Sequence, residues 1–525
     1  MPKYPDLSGL IKSYDVRGVV GESLTEEVAL AIGAAFADAV VIPDGHTAAV
    51  VGRDMRASSP SLEAAVVEGM TLRGVDVISV GLCSTDGLYF ASGSMDLPGL
   101  MITASHNPAP DNGMKMCHPQ ARAVGETTGL GAVRELTARY LVDGIPPADR
   151  RGAQTHQDVL ADYAAFLRSL VDLREIRPLR VVVDAANAMA GHTVPAVLGT
   201  VAGLPDLPIK VLPLYFELDG TFPHHEANPL DERNLVDLQA AVREHGADLG
   251  LAFDGDADRC FVIDERGEVV KASTIATLVG LREARRELAA GRTPTIIHNL
   301  ICSKAVTEQL QSAGATTVRA KVGHSHIKAQ MAEHDAVFGG EHSAHFYFRD
   351  FWFADSGLLA AMHVLATVGE QPGPLSQLLQ AHDPYANSGE INSRVDSVDD
   401  AMARIREAFA SDEAFLADEL TVDRFDGLTV SHWNDDPQWW FNVRASNTEP
   451  LLRLNVEARD RAVMERQRDA VLAVIRQADA HALSAEASAL PPDSPAPTTD
   501  TPTSPADTPA QTTDTRSPTA KTPGL

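Results

Sequence analysis

The sequence predicts an α/β protein of several domains that ends in a smaller α+β domain. Three segments repeat one pattern: a β-branched apolar run, a polar loop, an amphipathic stretch and a second apolar run about 20–30 residues further on, the length that a βαβ crossover needs. The paired runs are residues 47–52 with 75–81, 179–184 with 209–215, and 295–299 with 316–322. The chain has 525 residues, which suits three to five domains.

After about residue 385 the pattern changes to short alternating runs and helical stretches. The predicted elements are a strand at residues 388–395, a helix at 399–410, strands at 427–432 and 440–443, and a helix at 461–478. The segment from Pro491 to Leu525 consists mainly of Pro, Thr, Ser, Ala and Asp, which predicts a disordered tail. We therefore place three α/β domains at 1–150, 151–265 and 266–385, an α+β domain at 386–484 and the tail at 485–525.

Charge and composition exclude several classes of function. The chain has 44 Lys and Arg against 72 Asp and Glu, a formal net charge of −28, so neither nucleic acid nor a membrane surface is an expected partner. Four widely spaced cysteines indicate neither a disulfide framework nor a structural zinc site. No secretory signal or membrane span is evident, so we expect a cytoplasmic protein with no obligate protein partner.

The most specific motif is DGDADR at residues 254–259, between apolar runs at 249–253 and 260–264. Its three carboxylates repel one another unless a hard cation such as Mg²⁺ or Ca²⁺ lies among them. An EF-hand is excluded, because Arg259 stands at the sixth position, where Gly is needed, and because strands are predicted on both sides. Arg259 beside a metal suggests that an anion is shared between the two cations.

Three further loops carry polar groups in patterns that suit a phosphorylated, hydroxylated ligand. Residues 101–108, MITASHNP, place Ser105 after a predicted strand, where a nucleophile or phosphate carrier could stand, and Lys115 adds a cation downstream. Residues 338–345, FGGEHSAH, suit a hydroxylated ligand, and residues 444–450, RASNTEP, suit a phosphate clamp. Each of these loops, taken alone, could also be an ordinary turn.

The stretch KVGHSHIK at residues 321–328 supplies more donors after a strand. Zinc binding is disfavoured there, because no third soft ligand is near and the neighbours are cationic. Walker, dinucleotide-binding and nucleophile-elbow motifs are missing from the sequence.

In their order along the chain, the loops at 101–108, 254–259, 338–345 and 444–450 resemble those of the α-D-phosphohexomutase superfamily, and most closely its bacterial phosphomannomutase/phosphoglucomutase branch, over residues 13–457. The resemblance implies three similar α/β domains with mixed sheets and an α+β domain around a central cleft. The segment that begins at Lys271 departs from the family pattern, because many members have Gly-Asp at this place in the sequence. The segment from Glu341 to His345 looks more like the mannose/glucose branch than the phosphoglucosamine branch.

The resemblance also implies roles for particular residues. Ser105 would be the phosphoserine and a metal ligand, Asp254, Asp256 and Asp258 the Mg²⁺ ligands, and His106, Lys115 and Arg259 further catalytic groups. The substrate-binding residues would be Tyr14, Arg17, His324, Glu341, Ser343, Arg444, Ser446, Asn447 and Thr448.

The implied reaction interconverts hexose 1-phosphate and hexose 6-phosphate of mannose and glucose through a hexose 1,6-bisphosphate, with Mg²⁺ as cofactor and the bisphosphate as activator. A metal-dependent serine phosphatase acting on sugar phosphates is the alternative enzyme. It would need Ser105 and the metal but has no reason to keep a second, distant phosphate clamp. A calcium-binding interaction protein is the non-enzymatic alternative, and it leaves Ser105, Lys115 and Arg444 unexplained.

Overall fold

The computed structural model describes residues 3–12, 14–409, 420–446 and 451–488. Within these ranges the strands form four sheets that follow one another along the chain. This arrangement confirms the predicted α/β fold with a C-terminal α+β part. In the part of the chain described, no helix has the length and hydropathy that crossing a bilayer requires.

The first sheet is mixed, with β2 parallel to both β3 and β4, and β5 antiparallel to β4 and β1. Its strands are β1 (Val16–Val19), β2 (Ala48–Arg53), β3 (Asp76–Leu82), β4 (Gly99–Ile102), β5 (Asp111–His118), β6 (Arg122–Ala123) and β7 (Gln154–His156). The helices of this part are α1 (Glu26–Phe36), α2 (Ser59–Leu72), α3 (Thr85–Met95) and α4 (Gly131–Asp143). α2 connects the parallel pair β2 and β3, as the first predicted βαβ unit requires.

The second sheet has the order β12-β11-β10-β8-β9. Its strands are β8 (Leu179–Asp184), β9 (Ile209–Leu214), β10 (Leu249–Phe253), β11 (Cys260–Asp264) and β12 (Val269–Val270), with helices α5 (Leu160–Leu170), α6 (Ala190–Val197) and α7 (Val236–His245). β8 is parallel to β9 and β10, whereas β10 and β11 are antiparallel. The acidic loop therefore lies between two buried strands, as the sequence predicts.

The third sheet has the order β14-β13-β15-β16-β17, with β13 parallel to β14 and β15. Its strands are β13 (Thr295–Asn299), β14 (Thr316–Ala320), β15 (Phe338–Gly340), β16 (Phe346–Phe348) and β17 (Ala354–Asp355). Its helices are α8 (Ala272–Ala289), α9 (Lys304–Ser312), α10 (His324–His334), α11 (Gly357–Gly369) and α12 (Leu375–Leu379). α9 connects the predicted parallel pair, so the third βαβ unit is also present.

The fourth sheet is antiparallel throughout its described strands, in the order β18-β22-β21-β20-β19. Its elements are β18 (Ala386–Arg394), α13 (Val398–Phe409), β19 (Thr421–Asp423), β20 (Leu428–His432), β21 (Trp439–Ala445), β22 (Leu451–Ala458) and α14 (Arg461–Ser488). α14 continues to Ser488, so residues 485–488 belong to this helix and not to the predicted tail. The remainder of the predicted tail, 489–525, lies outside the described residues.

A continuous cluster of buried apolar side chains joins the first three sheets around the site. It runs from Leu88 on α3 through Val182 and Phe261 of the second sheet to Phe346 of the third sheet and Leu365 on α11. The fourth sheet has its own separate cluster. The loops at the ends of β4, β10 and β15 are thus held by one shared core, and the fourth sheet contributes from a separately packed unit.

Candidate active site

The loop after β4 holds Ser105 in a left-handed conformation, with φ of +49°. Ser105 is 3% exposed, its backbone N–H donates to Thr103 Oγ1 at 2.9 Å, and its Oγ donates to Asp254 Oδ2 at 2.6 Å. A non-glycine residue adopts positive φ rarely and at an energetic cost, and such strain concentrates at functional sites. The loop therefore aims the predicted phosphoryl carrier at the predicted metal loop.

Arg56 holds this serine loop in place through hydrogen bonds from its guanidinium. Its guanidinium is 1% exposed and donates to four backbone carbonyl oxygens: Ser105 O at 2.8 Å, Asn107 O at 2.7 Å, Pro108 O at 2.8 Å and Asp111 O at 3.0 Å. Buried charge-assisted hydrogen bonds of this kind limit the positions that a loop can take.

Gly255 allows the serine loop and the metal loop to come together. A Cβ at this position would lie 2.2 Å from the carbonyl oxygen of Ser105, which is inside van der Waals contact. Only a residue without a side chain fits between the two loops.

Gly255→Ala is therefore expected to lower kcat about 100-fold, because a displacement of about 1 Å in a reacting group can have that effect. Overpacking should also reduce stability by about 1–3 kcal/mol. Steady-state kinetics and the thermal midpoint measure the two effects. Gly9→Ala is the control, since a Cβ at Gly9 meets nothing within 4 Å. Unchanged kcat in Gly255→Ala would show that the contact between the loops does not set the geometry of the site.

The three aspartates of the metal loop are almost completely buried and converge. Oxygen atoms of Asp254, Asp256 and Asp258 all lie within 4.8 Å of one another. Asp256 Oδ2 accepts hydrogen bonds from Thr85 Oγ1 at 2.6 Å and Lys115 Nζ at 2.7 Å, and Asp258 Oδ2 accepts from the same ammonium group. Thr85 is placed here because α3 begins at that residue, with Ser84 Oγ accepting from Gly87 N.

The donor set of these aspartates fits a divalent cation. Asp256 Oδ1 and Asp258 Oδ1 are buried and have no hydrogen-bond partner, which is costly unless a cation compensates them. Carboxylate oxygens are the ligands that Mg²⁺ prefers. Burial, with repulsion from Asp258 and Asp256, raises the pKa of Asp254 to about 7 despite the opposing charge of Arg259.

Arg259 connects the metal loop to the serine loop. Its Nε and Nη2 donate to Asp254 Oδ2 at 3.0 and 2.7 Å, and Nη2 also donates to Ser105 Oγ at 3.2 Å and contacts His106 Nδ1. Arg259 is 2% exposed. A fixed, dehydrated guanidinium beside the Ser105 hydroxyl is placed to neutralise a phosphoryl group there.

Two neighbouring groups hold opposite protonation states. Burial together with the charges of Arg259 and Arg17 keeps the pKa of His106 well below its usual value, so the ring is neutral. Burial alone would lower the pKa of Lys115, but the carboxylates of Asp256 and Asp258 outweigh it and raise the pKa, so Lys115 is charged. His106 Nδ1 lies 3.3 Å from Ser105 Oγ.

These groups face one cavity of about 140 Å³. Of the residues predicted from the sequence, it is lined by Arg17, Ser105, His106, Lys115, Asp258, Arg259 and His324. The serine, metal and N-terminal loops and the start of α10 therefore meet, although they are distant in sequence.

The N-terminal loop closes one side of this cavity. Arg17 Nη1 donates to Asn107 Oδ1 at 2.9 Å and contacts the carbonyl oxygen of Ala104, and Arg17 Nε is paired with Asp15 at 2.8 Å. The Tyr14 ring packs edge-on against His324, with ring centroids 5.5 Å apart. Tyr14 thus links the first domain to the third across the cleft.

Glu341 and Ser343 lie beside the same cavity but do not line it. Glu341 Oε1 accepts from Tyr347 OH at 2.5 Å, and Oε2 accepts from the N–H of Gly323 at 3.2 Å, next to His324. Ser343 Oγ lies 2.9 Å from Nδ1 of His345, a cavity residue. Asn299 Nδ2 also donates to Glu341 Oε2 at 3.3 Å, so three hydrogen bonds hold this buried carboxylate next to the residues that line the cavity.

The predicted phosphate clamp is a separate site on the fourth domain. Arg444 and Arg453 share Glu390, with N–O distances of 2.8 and 2.9 Å, and Arg453 Nη2 lies 3.5 Å from Ser446 Oγ. The predicted Asn447 and Thr448 lie outside the described residues. His342, in the loop that follows β15, lines a small cavity together with Asn387 and Asn455 of the fourth sheet, so this sheet packs next to that loop.

Several residues of the site were not predicted from the sequence. Arg56 and Thr85 are the supports described above, and Asp355 lines the cavity while paired with the buried Lys328 at 2.8 Å. The sequence marks Arg56 by the charged residues Arg53, Asp54 and Arg56, which lie at and just after the end of the apolar strand β2. The sequence marks Asp355 less clearly, by its position just before Ser356, the N-cap of α11.

Comparison with known proteins identifies the chain. The four domain families of phosphoglucomutase/phosphomannomutase match in order: alpha/beta/alpha domain I at residues 9–138, II at 161–267, III at 273–385 and the C-terminal domain at 390–474. The protein is therefore a phosphohexomutase, an isomerase that transfers phosphate within a sugar. The chain belongs to the phosphoglucomutase/phosphomannomutase family.

Individual relatives agree with this assignment. "Phosphohexose mutases" from Xanthomonas campestris pv. campestris is 37% identical over 468 residues, which are 89% of this chain and 98% of that protein. "Phosphomannomutase" from Escherichia coli is 36% identical over 469 residues, with the same coverage. The crystal structure of a phosphoglucomutase/phosphomannomutase family protein from Burkholderia thailandensis matches with a TM-score of 0.76 at 29% identity, covering 90% of this chain and 98% of that one. The serine phosphatase alternative has no support among these relatives.

Proposed function

We propose that the enzyme interconverts the 1- and 6-phosphates of mannose and glucose through a phosphorylated Ser105 and a hexose 1,6-bisphosphate. The observation that carries this proposal is the position of Ser105 Oγ, which lies 2.6 Å from Asp254 and 3.2 Å from Arg259. The cavity there is also lined by the cations Arg17 and Lys115. A hydroxyl so placed can carry a phosphoryl group whose charge is neutralised on several sides.

A coupled assay tests this proposal. Mannose 1-phosphate with a catalytic amount of glucose 1,6-bisphosphate should yield mannose 6-phosphate and almost no free phosphate. Release of phosphate in proportion to turnover would contradict it.

We propose Mg²⁺ as the cation, held by Asp254, Asp256, Asp258 and the phosphoryl oxygens on Ser105. When bound, Mg²⁺ would act as a Lewis acid that neutralises charge on the transferring phosphoryl group. Arg259 would also neutralise charge on this phosphoryl group, because its guanidinium contacts both Ser105 Oγ and Asp254.

In the first transfer, the bond between Ser105 Oγ and phosphorus breaks while a sugar hydroxyl forms a new bond to phosphorus. The sugar hydroxyl loses its proton, and Ser105 Oγ takes one up when phosphate leaves. Neutral His106 is our candidate proton acceptor and charged Lys115 our candidate donor, because both line the cavity beside Ser105. The second transfer reverses these events with the other phosphate of the turned-over bisphosphate.

The clamp on the fourth domain would hold the phosphate that is not reacting. Arg444 and Ser446, with the predicted Asn447 and Thr448, supply donors there, and Tyr14, Arg17 and His324 would line the path between the two phosphates. A second anion site of this kind is needed by a mutase, because the bisphosphate must be retained while its ends exchange.

Turning over the bisphosphate constrains how the sugar can be recognised. The vicinal 3- and 4-hydroxyls roughly change places when the ring turns over, so Glu341 and Ser343 can hold them in both orientations. The 2-hydroxyl, which distinguishes mannose from glucose, has no such counterpart. We therefore expect weak discrimination between the two sugars.

Mannose and glucose 1-phosphates are thus both expected to be substrates, with kcat/KM values within about two orders of magnitude. Glu341→Ala should lower kcat/KM for both alike, by about 10- to 100-fold, because a hydroxyl loses a charged acceptor. Kinetics with each sugar measure this, with Glu341→Gln as a variant closer in shape and the exposed Glu333→Ala on α10 as control. A wholly inert sugar, or an effect on one sugar alone, would contradict the argument.

A further inference from the structure

Behind the second and third sheets lies a second cavity, of about 640 Å³, that the proposed reaction does not use. This rear cavity is formed where the end of α5 and the following loop meet α8 and α11. Val171, Ile176, Glu283, Arg286 and His363 are among its lining residues. It shares no lining residue with the catalytic cavity, and its volume lies within the range of small-molecule sites.

The floor of the rear cavity has buried nitrogen atoms without hydrogen-bond partners. His363 is 4% exposed, its Nδ1 is buried with no partner, and its Nε2 lies 3.7 Å from Glu283 Oε1, beyond hydrogen-bond distance. Arg286 Nε is likewise buried with no partner, although its Nη2 is paired with Glu283 and Asp350 at 2.7 Å. Arg286 Nε, and His363 Nδ1 in its Nδ1–H tautomer, are buried donors that a ligand's oxygen acceptor would satisfy.

Ion pairs within the cavity leave one lining arginine for an anion. Arg282 is paired with Glu370 at 2.6 Å and Arg286 with Glu283 at 2.7 Å. Burial, followed by the charges of Arg282 and Arg286, lowers the pKa of His363 to about 3, so its imidazole is neutral. Burial raises the pKa of Glu283 to about 7, which leaves this carboxyl partly protonated near neutral pH. Arg285 lines the same cavity and, among the described residues, makes no ion pair.

The opposite wall and the rim limit what can enter. Leu170, Val171 and Ile176 form an apolar wall, and Asp172 and Glu175 place negative charge at the exposed edge. A long polyanion would be repelled by the two carboxylates at that edge. A small molecule with one anionic end could pack its apolar part against the apolar wall.

We propose that the rear cavity binds a small organic oxyanion, with a carboxylate or phosphate head on His363, Arg286 and Arg285 and an apolar body against Val171 and Ile176. The site is distinct from the catalytic cavity. α11 separates the two, since Gly357 packs on the backbone of Arg259 and His363 follows about 9 Å further along the helix.

The test uses two bromine-labelled probes, 4-bromobenzoate and 4-bromophenyl phosphate, with 4-bromobenzylamine as the cationic counterpart. Crystals of the full chain soaked with each probe should show an anomalous bromine peak beside Val171 and Ile176 for either or both anions and none for the amine. Comparing the two anions distinguishes a carboxylate from a phosphate ligand. Bromine only in the catalytic cavity, or equal occupancy by the amine, would overturn the proposal.

Binding measurements in solution test the proposed roles of His363, Arg286 and Arg285. In calorimetry with the bound anion, Arg286→Met and His363→Gln should each weaken binding about 10- to 100-fold, and the exposed Arg285→Ala should weaken it less, without altering the fold. Arg233→Ala, at an exposed arginine far from the cavity, is the control. Saturating glucose 1-phosphate should leave the affinity unchanged. Displacement by glucose 1-phosphate, or equal affinity in all four variants, would refute the proposal.

Discussion

Ser105→Ala is expected to lower kcat by about four orders of magnitude or more, because the phosphoryl group loses its only proposed carrier. The fold should survive the substitution. Asp254, the hydrogen-bond partner of Ser105 Oγ, remains bonded to the backbone N–H and the guanidinium of Arg259. The thermal midpoint should therefore change little while turnover is lost.

Steady-state kinetics, circular dichroism and intact-mass spectrometry together measure this result. Wild-type enzyme incubated with glucose 1,6-bisphosphate should carry one phosphoryl group, and Ser105→Ala should carry none. Ser61→Ala is the matched control, an exposed serine on α2 of the same domain. An active, unphosphorylated Ser105→Ala enzyme would refute the phosphoserine.

The second large effect concerns the metal loop. Asp256→Asn should lower kcat about 10²- to 10³-fold with a much smaller change in KM, because it removes one ligand charge and one of the two carboxylates that hold Lys115. Chelation by EDTA should abolish activity, because the buried unpartnered oxygens of Asp256 and Asp258 would then repel the phosphoserine dianion.

Direct titration of Mg²⁺ into the enzyme gives a readout that does not depend on activity. Asp256→Asn should bind Mg²⁺ more weakly than wild type, and Asp206→Asn, at an exposed position in the same domain, should bind it equally well. Full activity after exhaustive EDTA treatment, or unchanged Mg²⁺ affinity in Asp256→Asn, would contradict the proposed metal site.

The sequence predicted the elements that local pattern controls. Residues 179–184 and 295–299 are strands with the predicted bounds, because buried parallel strands are marked by apolar runs such as residues 181–183 and 296–297. The acidic loop was equally clear, since three aspartates at alternate positions between apolar strands have few structural explanations.

Long-range supports could not be predicted in the same way. Arg56 and Ser105 are 49 residues apart, and their contact depends on how two strands of one sheet are placed side by side. Asp355 and Lys328 meet only because β17 and α10 belong to one domain, and no local pattern marks a pair of that kind. The extent of α14 was also underestimated, because the sequence after residue 478 has weaker apolar periodicity.

The measurement that tests the central claim most directly is a single turnover of phosphorylated enzyme. Enzyme labelled with ³²P on Ser105 is mixed with one equivalent of unlabelled glucose 1-phosphate and quenched over time. We expect the label to leave Ser105 and to appear first at the 6-position of glucose 1,6-bisphosphate and then in glucose 6-phosphate, with almost none as inorganic phosphate. Label that stays on the protein while product forms, or that is released directly as inorganic phosphate, would contradict it.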